Sequence, residues 1–311
     1  APAVADPAVH VIASGGPVTA YLGDRWLAGT TDQGWEVSGP TADPATSHVI
    51  TGVGDSALIE TAPTPEAQAG ETEASDRPPV PRPATLRVAV PGVEPAVIQL
   101  RALTDEGTVD LPTDVRLLPG EEGADIELTD LPAGTSALAV DSDEPVVVAL
   151  QLRSAESSEG RADIAWVPST HPIEGLAGTV LPQTGDDSTA IAYRLEVASP
   201  LGAQVRVHRV SDDGEVLDTL LDVPAGTGAH LDLSLAEAVW VEVQDGQAFA
   251  AVSAHSVVAV SDEDPTSASR TGEQSDQDNA AEVDEVTLIS VLPLNDLPRY
   301  RSLVDLVPRY P

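Results

Sequence analysis

Carboxylates are the most numerous side chains that could do chemistry, with 51 acidic residues against 15 basic ones. Ca²⁺ takes oxygen ligands from flexible loops, and glycoside hydrolysis needs two carboxylates at a fixed separation. Because carboxylates are so numerous, no single pair of them indicates a glycosidase site. The sequence also contains no EF-hand pattern. We therefore predict solvated acidic turns, with calcium as the one cofactor left open. The groups lie at residues 141–144, 186–187, 212–213 and 262–264.

Histidine and nucleophile chemistry finds little support in the sequence. There is no Cys and no Lys, which excludes a thiolate nucleophile, a Ser-x-x-Lys motif and a Walker-type phosphate loop. No two His residues have the spacing of a metal site. We predict that the protein is not an enzyme, with no catalytic, cofactor-binding or metal site. His48 and His171 lie at equivalent points of the repeats, and we predict that these two are solvated loop residues without a shared role. The six histidines are His10, His48, His171, His208, His230 and His255.

Charge and aromatic content exclude further partners. The formal net charge is −36, and every basic residue is Arg. Clustered basic side chains recognise nucleic acid and anionic membranes, so neither is expected as a partner. With one Phe, the cores must be aliphatic. The Trp residues could form a carbohydrate platform, but their places in the repeats favour core or inter-module packing; they are Trp26, Trp35, Trp166 and Trp240.

The elements that must position these residues are short strands. Helical periodicity is nearly absent, whereas alternating apolar and polar stretches recur between Gly, Pro and Asp clusters. This pattern predicts antiparallel strands. The stretches also repeat in order, since residues 86–91 correspond to 195–200, and residues 97–107 correspond to 205–214. The sequence thus predicts an all-β fold of tandem immunoglobulin-like or fibronectin-like β-sandwich repeats.

The repeats divide the chain into modules and linkers. Residues 85–182 and residues 183–311 are each predicted to hold one complete β-sandwich module. The second module carries an acidic insertion at residues 261–285, and an acidic, Pro-rich linker is predicted at residues 60–84. Both of these segments hold too few apolar side chains to offset the entropy of ordering. We therefore expect both to be mobile linkers or loops, and the insertion to be disordered.

Residues 1–59 are predicted to be a partial module, with only closing strands and a Trp connector. Residues 10–22 align without a gap to residues 138–150. A half module leaves strand edges unpaired. Two explanations stay open: either preceding sequence is missing, or residues 299–311 return to complete the module. The second explanation would interlock the chain ends in a propeller-like closure.

The C-terminal stretch is a candidate partner contact. Arg and Tyr favour protein interfaces, and this stretch combines them with apolar residues. A docked terminal strand is the alternative explanation. The candidate contact residues are Arg299, Tyr300, Arg301, Arg309 and Tyr310.

The start of the chain indicates a compartment. It has a run of small residues that looks like a mature end exposed after removal of a signal peptide. We therefore expect a secreted, extracytoplasmic protein of the cell envelope. No run reaches the ~18 apolar residues that a membrane helix needs.

Four segments carry a resemblance to a known family, namely residues 86–92, 142–148, 166–182 and 223–226. Through them the chain resembles a family of large secreted actinobacterial proteins of unknown function, over most of residues 10–260. Members of that family look like envelope proteins and are often encoded beside a large membrane glycosyltransferase, so the resemblance implies an accessory role in envelope glycan assembly. It supplies no catalytic residues.

The expected function follows from a sequence that has structural repeats but no recognisable catalytic motif. We expect a non-enzymatic secreted scaffold or accessory subunit of the cell envelope, serving a membrane glycosyltransferase or another membrane complex. Its partner would be a membrane or envelope protein. The alternative is a glycan-binding or calcium-dependent adhesive module.

Overall fold

The structure, a computed structural model, describes residues 20–28, 31–54, 84–111, 116–120, 123–128, 131–154, 163–182, 191–233, 236–260 and 284–296, with a few isolated residues before them. All regular structure in these ranges is β-strand, which confirms the predicted all-β class. None of these residues belongs to a helix long and apolar enough to cross a membrane.

The strands are β1 (Leu22–Ala28), β2 (Thr31–Ser38), β3 (Ala45–Thr51), β4 (Ala84–Ala89), β5 (Ala96–Thr104), β6 (Thr108–Asp110), β7 (Arg116–Leu118), β8 (Gly123–Leu128), β9 (Thr135–Arg153), β10 (Ile164–Pro168), β11 (Leu176–Val180), β12 (Ile191–Ser199), β13 (Ala203–Ser211), β14 (Val216–Val223), β15 (Thr227–Asp232), β16 (Ala236–Gly246), β17 (Phe249–Val260) and β18 (Asp284–Leu294).

The alternation seen in the sequence is the reason that these segments are strands. In β4, Leu86 and Val88 are fully buried, while Thr85 and Arg87 are only partly covered. Successive side chains of a strand point to opposite faces. Burying each such aliphatic side chain contributes roughly 1.5–3 kcal/mol, so one face of the strand is held on the core.

The first core lies between β3 and β10. The long strand β9 serves both of its layers, because its first half pairs with β3 and β5, and its second half pairs with β4 and β10. Strands β6 and β7 pair with β5, and β8 pairs with β4. The sheet therefore folds over on itself around aliphatic side chains such as Leu86, Leu100 and Leu150.

The second core lies between β11 and β18. Two antiparallel sheets enclose it, with strand orders β11-β16-β13-β14 and β15-β12-β17-β18. Leu195, Val207 and Val241 lie at its centre and are fully buried. The hairpin turn predicted after residue 211 joins β13 to β14, with Gly214 at a φ of 79°.

The two cores share one order of strand pairing. In the first core Leu86 faces Leu150 and Leu100 faces Val140. Their sequence counterparts, Leu195 and Val207, face β17 and β16 in the same way. Strand β9 therefore occupies both the β16 and the β17 positions. Assignment of the repeats as immunoglobulin-like modules stays a prediction.

The acidic turn predicted at residues 141–144 is wrong, because β9 continues through it. The strand passes from one layer to the other there, next to Pro145, which has no N–H for the ladder. Asp143 accepts a hydrogen bond from the Val97 backbone N–H at 2.7 Å, and Asp141 pairs with Arg101. These carboxylates bond to β5 instead of forming a turn.

Strand β18 takes the place that β10 has in the first core. Val291 faces Ser253 as Trp166 faces Gln151, so Val291 stands where the other core has a Trp. Strand β18 also lies beside β10, and Ala251 and Val291 contribute to the first core. The edges of the two cores therefore meet.

Each core includes a strand that precedes it in the chain. Strand β3, from the segment predicted as a partial module, pairs with β9. Strand β11, from the end of the segment predicted as the first complete module, pairs with β16. A small buried cluster lies between the two cores and contains residues of both: Val49, Leu103, Ala137, Ala139, Ala198 and Phe249.

Several predicted segments lie outside the described residues. They include most of the linker and of the acidic insertion, at residues 60–83 and 261–283. Ala84 begins β4 and Asp284 begins β18. Residues 299–311, on which the propeller-like closure depends, also lie outside, so that closure stays a prediction.

Candidate functional site

A buried chain of polar groups joins β3 to the end of β10. His48 is 3% exposed, and its Nε2 lies 2.7 Å from the carbonyl oxygen of Val146. Its Nδ1 lies 3.1 Å from the hydroxyl of Ser169, which lies 2.8 Å from the hydroxyl of Thr41. Because a carbonyl can only accept, Nε2 carries the hydrogen and Nδ1 accepts from Ser169.

This arrangement has the parts of an activated nucleophile, a hydroxyl on a neutral imidazole. Ser169 has no exposed surface, however, so no substrate can reach it. Burial also lowers the pKa of His48, which keeps the ring neutral. The prediction that His48 is a solvated loop residue is wrong, whereas His171, about 65% exposed at its side chain, does lie at the surface. His48 holds strands together.

A pair of carboxylates lies where β2 meets β10. Burial, and then the charge of Asp163, raise the pKa of Glu36 to about 7. Glu36 accepts a hydrogen bond from the backbone of Trp166. Asp163 accepts one from the N–H of Ile289 on β18 at 2.9 Å, and burial raises its pKa. Backbone groups of neighbouring strands therefore hold both acids in place.

Glu196 on β12 is the most buried acid among the described residues, at 1% exposure. Its Oε2 accepts a hydrogen bond from the N–H of Gly54 at 3.0 Å, and Ser253 lies within 3.4 Å of Oε1. Gly52 and Gly54 have positive φ values of 85° and 40°, which turn the loop after β3 around the carboxylate. Burial raises the pKa of Glu196 to about 7.

Sequence reasoning missed Glu196, because residues 193–197 form an ordinary alternating strand. One signal was available: burial on both faces requires small neighbours, and Glu196 faces Ala251 on β17. The small side chain of Ala251 leaves room for a loop that covers the acid. Glu196 therefore links the second core to the loop after β3.

The other acidic groups serve turns and pairings. At the β13–β14 turn, Asp213 accepts from the Ser211 hydroxyl and from the Glu215 N–H, and these bonds lower its pKa. Residues 186–187 and 262–264 lie outside the described part. Within the ranges that the structure describes, no three acidic or His side chains converge as metal ligands.

The Trp residues fall into two environments. Trp166 is 9% exposed and lies under the guanidinium of Arg87, which is 4.7 Å from the ring centroid. This agrees with the predicted packing role. Trp240 instead lies on the outer face of the second core, beside His208 and Glu242. Trp26 and Trp35 lie on β1 and β2.

The predicted contact residues Arg299, Tyr300, Arg301, Arg309 and Tyr310 lie outside the described residues, so their role stays a prediction. The described segment just before them ends at Asp296. That carboxylate accepts hydrogen bonds from the N–H groups of Glu174 and Gly175, at 2.9 and 3.1 Å. The chain is therefore fixed at Asp296, next to the segment that leads into β11.

Comparison with known proteins identifies a family. Neither the curated proteins nor the solved structures give a match. A family model described as a family of unknown function, DUF5719, matches residues 1–234. Because this match covers 234 of 311 residues, the chain belongs to the DUF5719 family of unknown function.

Proposed function

We propose that the protein is a non-enzymatic scaffold of the cell envelope that acts as an accessory subunit of a membrane complex. The observation that carries the proposal is the use made of its buried and half-buried polar side chains. His48, Asp163 and Glu196 are each bonded to backbone groups of other strands or loops. Groups that could do chemistry thus hold strands together.

The links between distant segments support a stiff body. Glu196 binds the loop after β3, and the Thr108 hydroxyl donates to the carbonyl of Gly226 at 2.9 Å. The buried cluster around Phe249 contains side chains from both cores. A scaffold needs such resistance to bending, whereas an enzyme needs an accessible set of converging groups.

The envelope and the membrane partner are proposed from the sequence. The resemblance to secreted actinobacterial proteins implies this location, and a membrane glycosyltransferase is the partner that it suggests. The net charge of −36 would keep such a scaffold away from anionic lipid and nucleic acid. The glycan-binding alternative stays a prediction, and so does its calcium-dependent form.

Cross-linking and affinity purification from native membranes test the proposal. A tagged full chain should recover one membrane protein in a stoichiometric amount. Replacing Arg299, Tyr300 and Arg301 by Ser should reduce that recovery, because these residues are the predicted contact.

A matched control replaces the exposed Tyr21 and Arg206 by Ser, which removes the same residue types elsewhere. The control should keep full recovery. Recovery of the tagged chain only as a free monomer, under conditions that preserve other envelope complexes, would contradict the scaffold proposal.

A further inference from the structure

The sheet β11-β16-β13-β14 carries an open groove on its outer face. Val239 and Val241 are fully buried, so Trp240 between them points away from the second core. The pairing register places Gly178, Trp240, His208 and Asp218 in one row across the four strands. An aromatic ring thus lies in the middle of a sheet face.

Gly178 leaves the space that the indole of Trp240 occupies. A Cβ at this glycine would lie 2.2 Å from Cε3 of Trp240 and 2.5 Å from the carbonyl oxygen of Val239. No other residue type fits there without moving the ring. The ring therefore lies over the glycine, and it remains partly exposed.

The groove above the ring has a volume of about 430 Å³ and is lined by Leu176, His208, Trp240 and Glu242. Small-molecule sites occupy about 300–1,000 Å³ and combine apolar walls with a few polar groups. The groove has this composition. Leu176, 40% exposed, extends its apolar surface.

The polar groups are held in position. Nδ1 of His208 lies 2.7 Å from Oδ1 of Asp218, and Nε2 lies 3.7 Å from Oε2 of Glu242. Asp218 therefore orients the imidazole. Its Nε2 and the carboxylate of Glu242 both stand at the groove, where they can bond to hydroxyl groups of a ligand.

We infer that this groove binds one sugar ring of a neutral saccharide, which stacks on Trp240 and bonds through its hydroxyls to Glu242 and His208. An indole face offers apolar contact, and carboxylates accept from hydroxyl groups. Acidic glycans are disfavoured by Glu242, Asp218 and the overall negative charge. The exposed Arg206 faces Glu242 across the strands, so one cation already lies beside that carboxylate.

The inference names the class of glycan and does not depend on the scaffold proposal. A protein that binds saccharide could still lack a membrane partner, and the reverse also holds. The saccharide-binding experiment can therefore fail while the membrane-partner experiment succeeds, and the reverse.

Calorimetric titration of the full chain with neutral hexasaccharides of glucose, mannose and galactose tests the site. At least one should bind with a millimolar or lower dissociation constant. Trp240→Ala should weaken that binding at least about tenfold. Gly178→Ala should also weaken it, because the added Cβ displaces the indole, and Trp240→Phe should retain part of it.

The matched control is Leu220→Ala, since Leu220 lies on the same sheet face at 52% exposure and outside the groove lining. It should leave the affinity unchanged. If Trp240→Ala lowers the melting temperature markedly, the saccharide affinities of Trp240→Phe and Gly178→Ala test the site instead.

Three results would overturn the inference. They are no binding of any neutral hexasaccharide, unchanged affinity in both Trp240→Ala and Gly178→Ala, and tighter binding of a polyanionic glycan or an Arg-rich peptide than of the neutral sugars.

Discussion

Arg87 and Glu196 occupy equivalent positions in the two cores. Arg87 follows Leu86, which faces β9, and Glu196 follows Leu195, which faces the equivalent strand β17. Arg87 is about 27% exposed at its side chain, pairs with Asp125 at 2.9 Å and covers Trp166. Glu196 is 1% exposed and bonds to the backbone of Gly54. One backbone position therefore carries a partly exposed cation in one core and a buried acid in the other.

The difference lies in what covers each face. The loop after β3 reaches the outer face of β12 at Glu196, and its Gly52 lies close to Val291 of β18 and Ala251 of β17. At the equivalent place in the first core, Arg87 and Trp166 cover the strand with their own side chains. The comparison shows that strand order does not determine the chemistry of the outer face. The segments that cover this face determine which side chains it can carry.

The largest expected effect that tests this comparison is at the buried acid. At pH 4.5, where the contribution of Glu196 is still present, Glu196→Ala should lower the free energy of unfolding by about 2–4 kcal/mol, because the partly buried Gly54 N–H loses its acceptor. Guanidinium unfolding measures it. The control Glu127→Ala removes an exposed strand acid and should change the value by less than about 0.5 kcal/mol. Equal losses in both variants would contradict the link.

The pH dependence of stability should also depend on Glu196. Burial raises its pKa from 4.5 to about 7, so the folded state binds a proton that the unfolded state has released. Its contribution is full below pH 4.5 and is lost as the pH rises to about 7, by about 3 kcal/mol over that window.

Unfolding measured across this pH range, in the wild type and in Glu196→Gln, isolates the effect. The variant should lose that part of the slope. Glu36, whose pKa is also raised, and His48, whose pKa is lowered, act equally in both proteins and cancel in the difference. Parallel curves would show that the acid is ionised in the folded protein.

The covering loop gives a smaller expected effect. Gly52→Ala should cost about 1–3 kcal/mol in the free energy of unfolding, because the new Cβ would lie 2.3 Å from Cγ1 of Val291. Gly214→Ala is the matched control, with a similar positive φ of 79° and no atom within 4 Å. The difference between the two variants measures the contact alone. No difference would mean that backbone strain explains the loss.

The smallest expected effect is at Arg87, the partly exposed cation. Arg87→Ala should lower the free energy of unfolding by about 1 kcal/mol, since exposed ion pairs and cation–π contacts each contribute about that or less. Unfolding at low and high salt checks it. The ion-pair part should shrink in high salt. A loss as large as that of Glu196→Ala would erase the contrast between the two positions.

Alternation and turn residues were enough to predict the all-β class and the hairpin at Gly214. The acidic group at residues 141–144 resembles that turn in composition, yet β9 runs through it. Whether a strand turns back or changes layers depends on the partner that receives it, here β5. Local composition does not contain that information.

The candidate sites could be predicted less well, because they depend on register. His208 and Trp240 face each other across β13 and β16, and Gly54 meets Glu196 from a segment far away in the chain. Each residue looks ordinary in its own strand. Only the pairing of strands brings the partners together.

Strands β3 and β11 each precede the core that they complete. In a chain that folds from its amino end as it is made, the strand β3 or β11 is therefore already present when the rest of its sheet appears. An open edge, which can recruit another chain, is then short-lived. Cutting between β11 and β12 would remove that protection, so separately made segments are expected to aggregate where the intact chain does not.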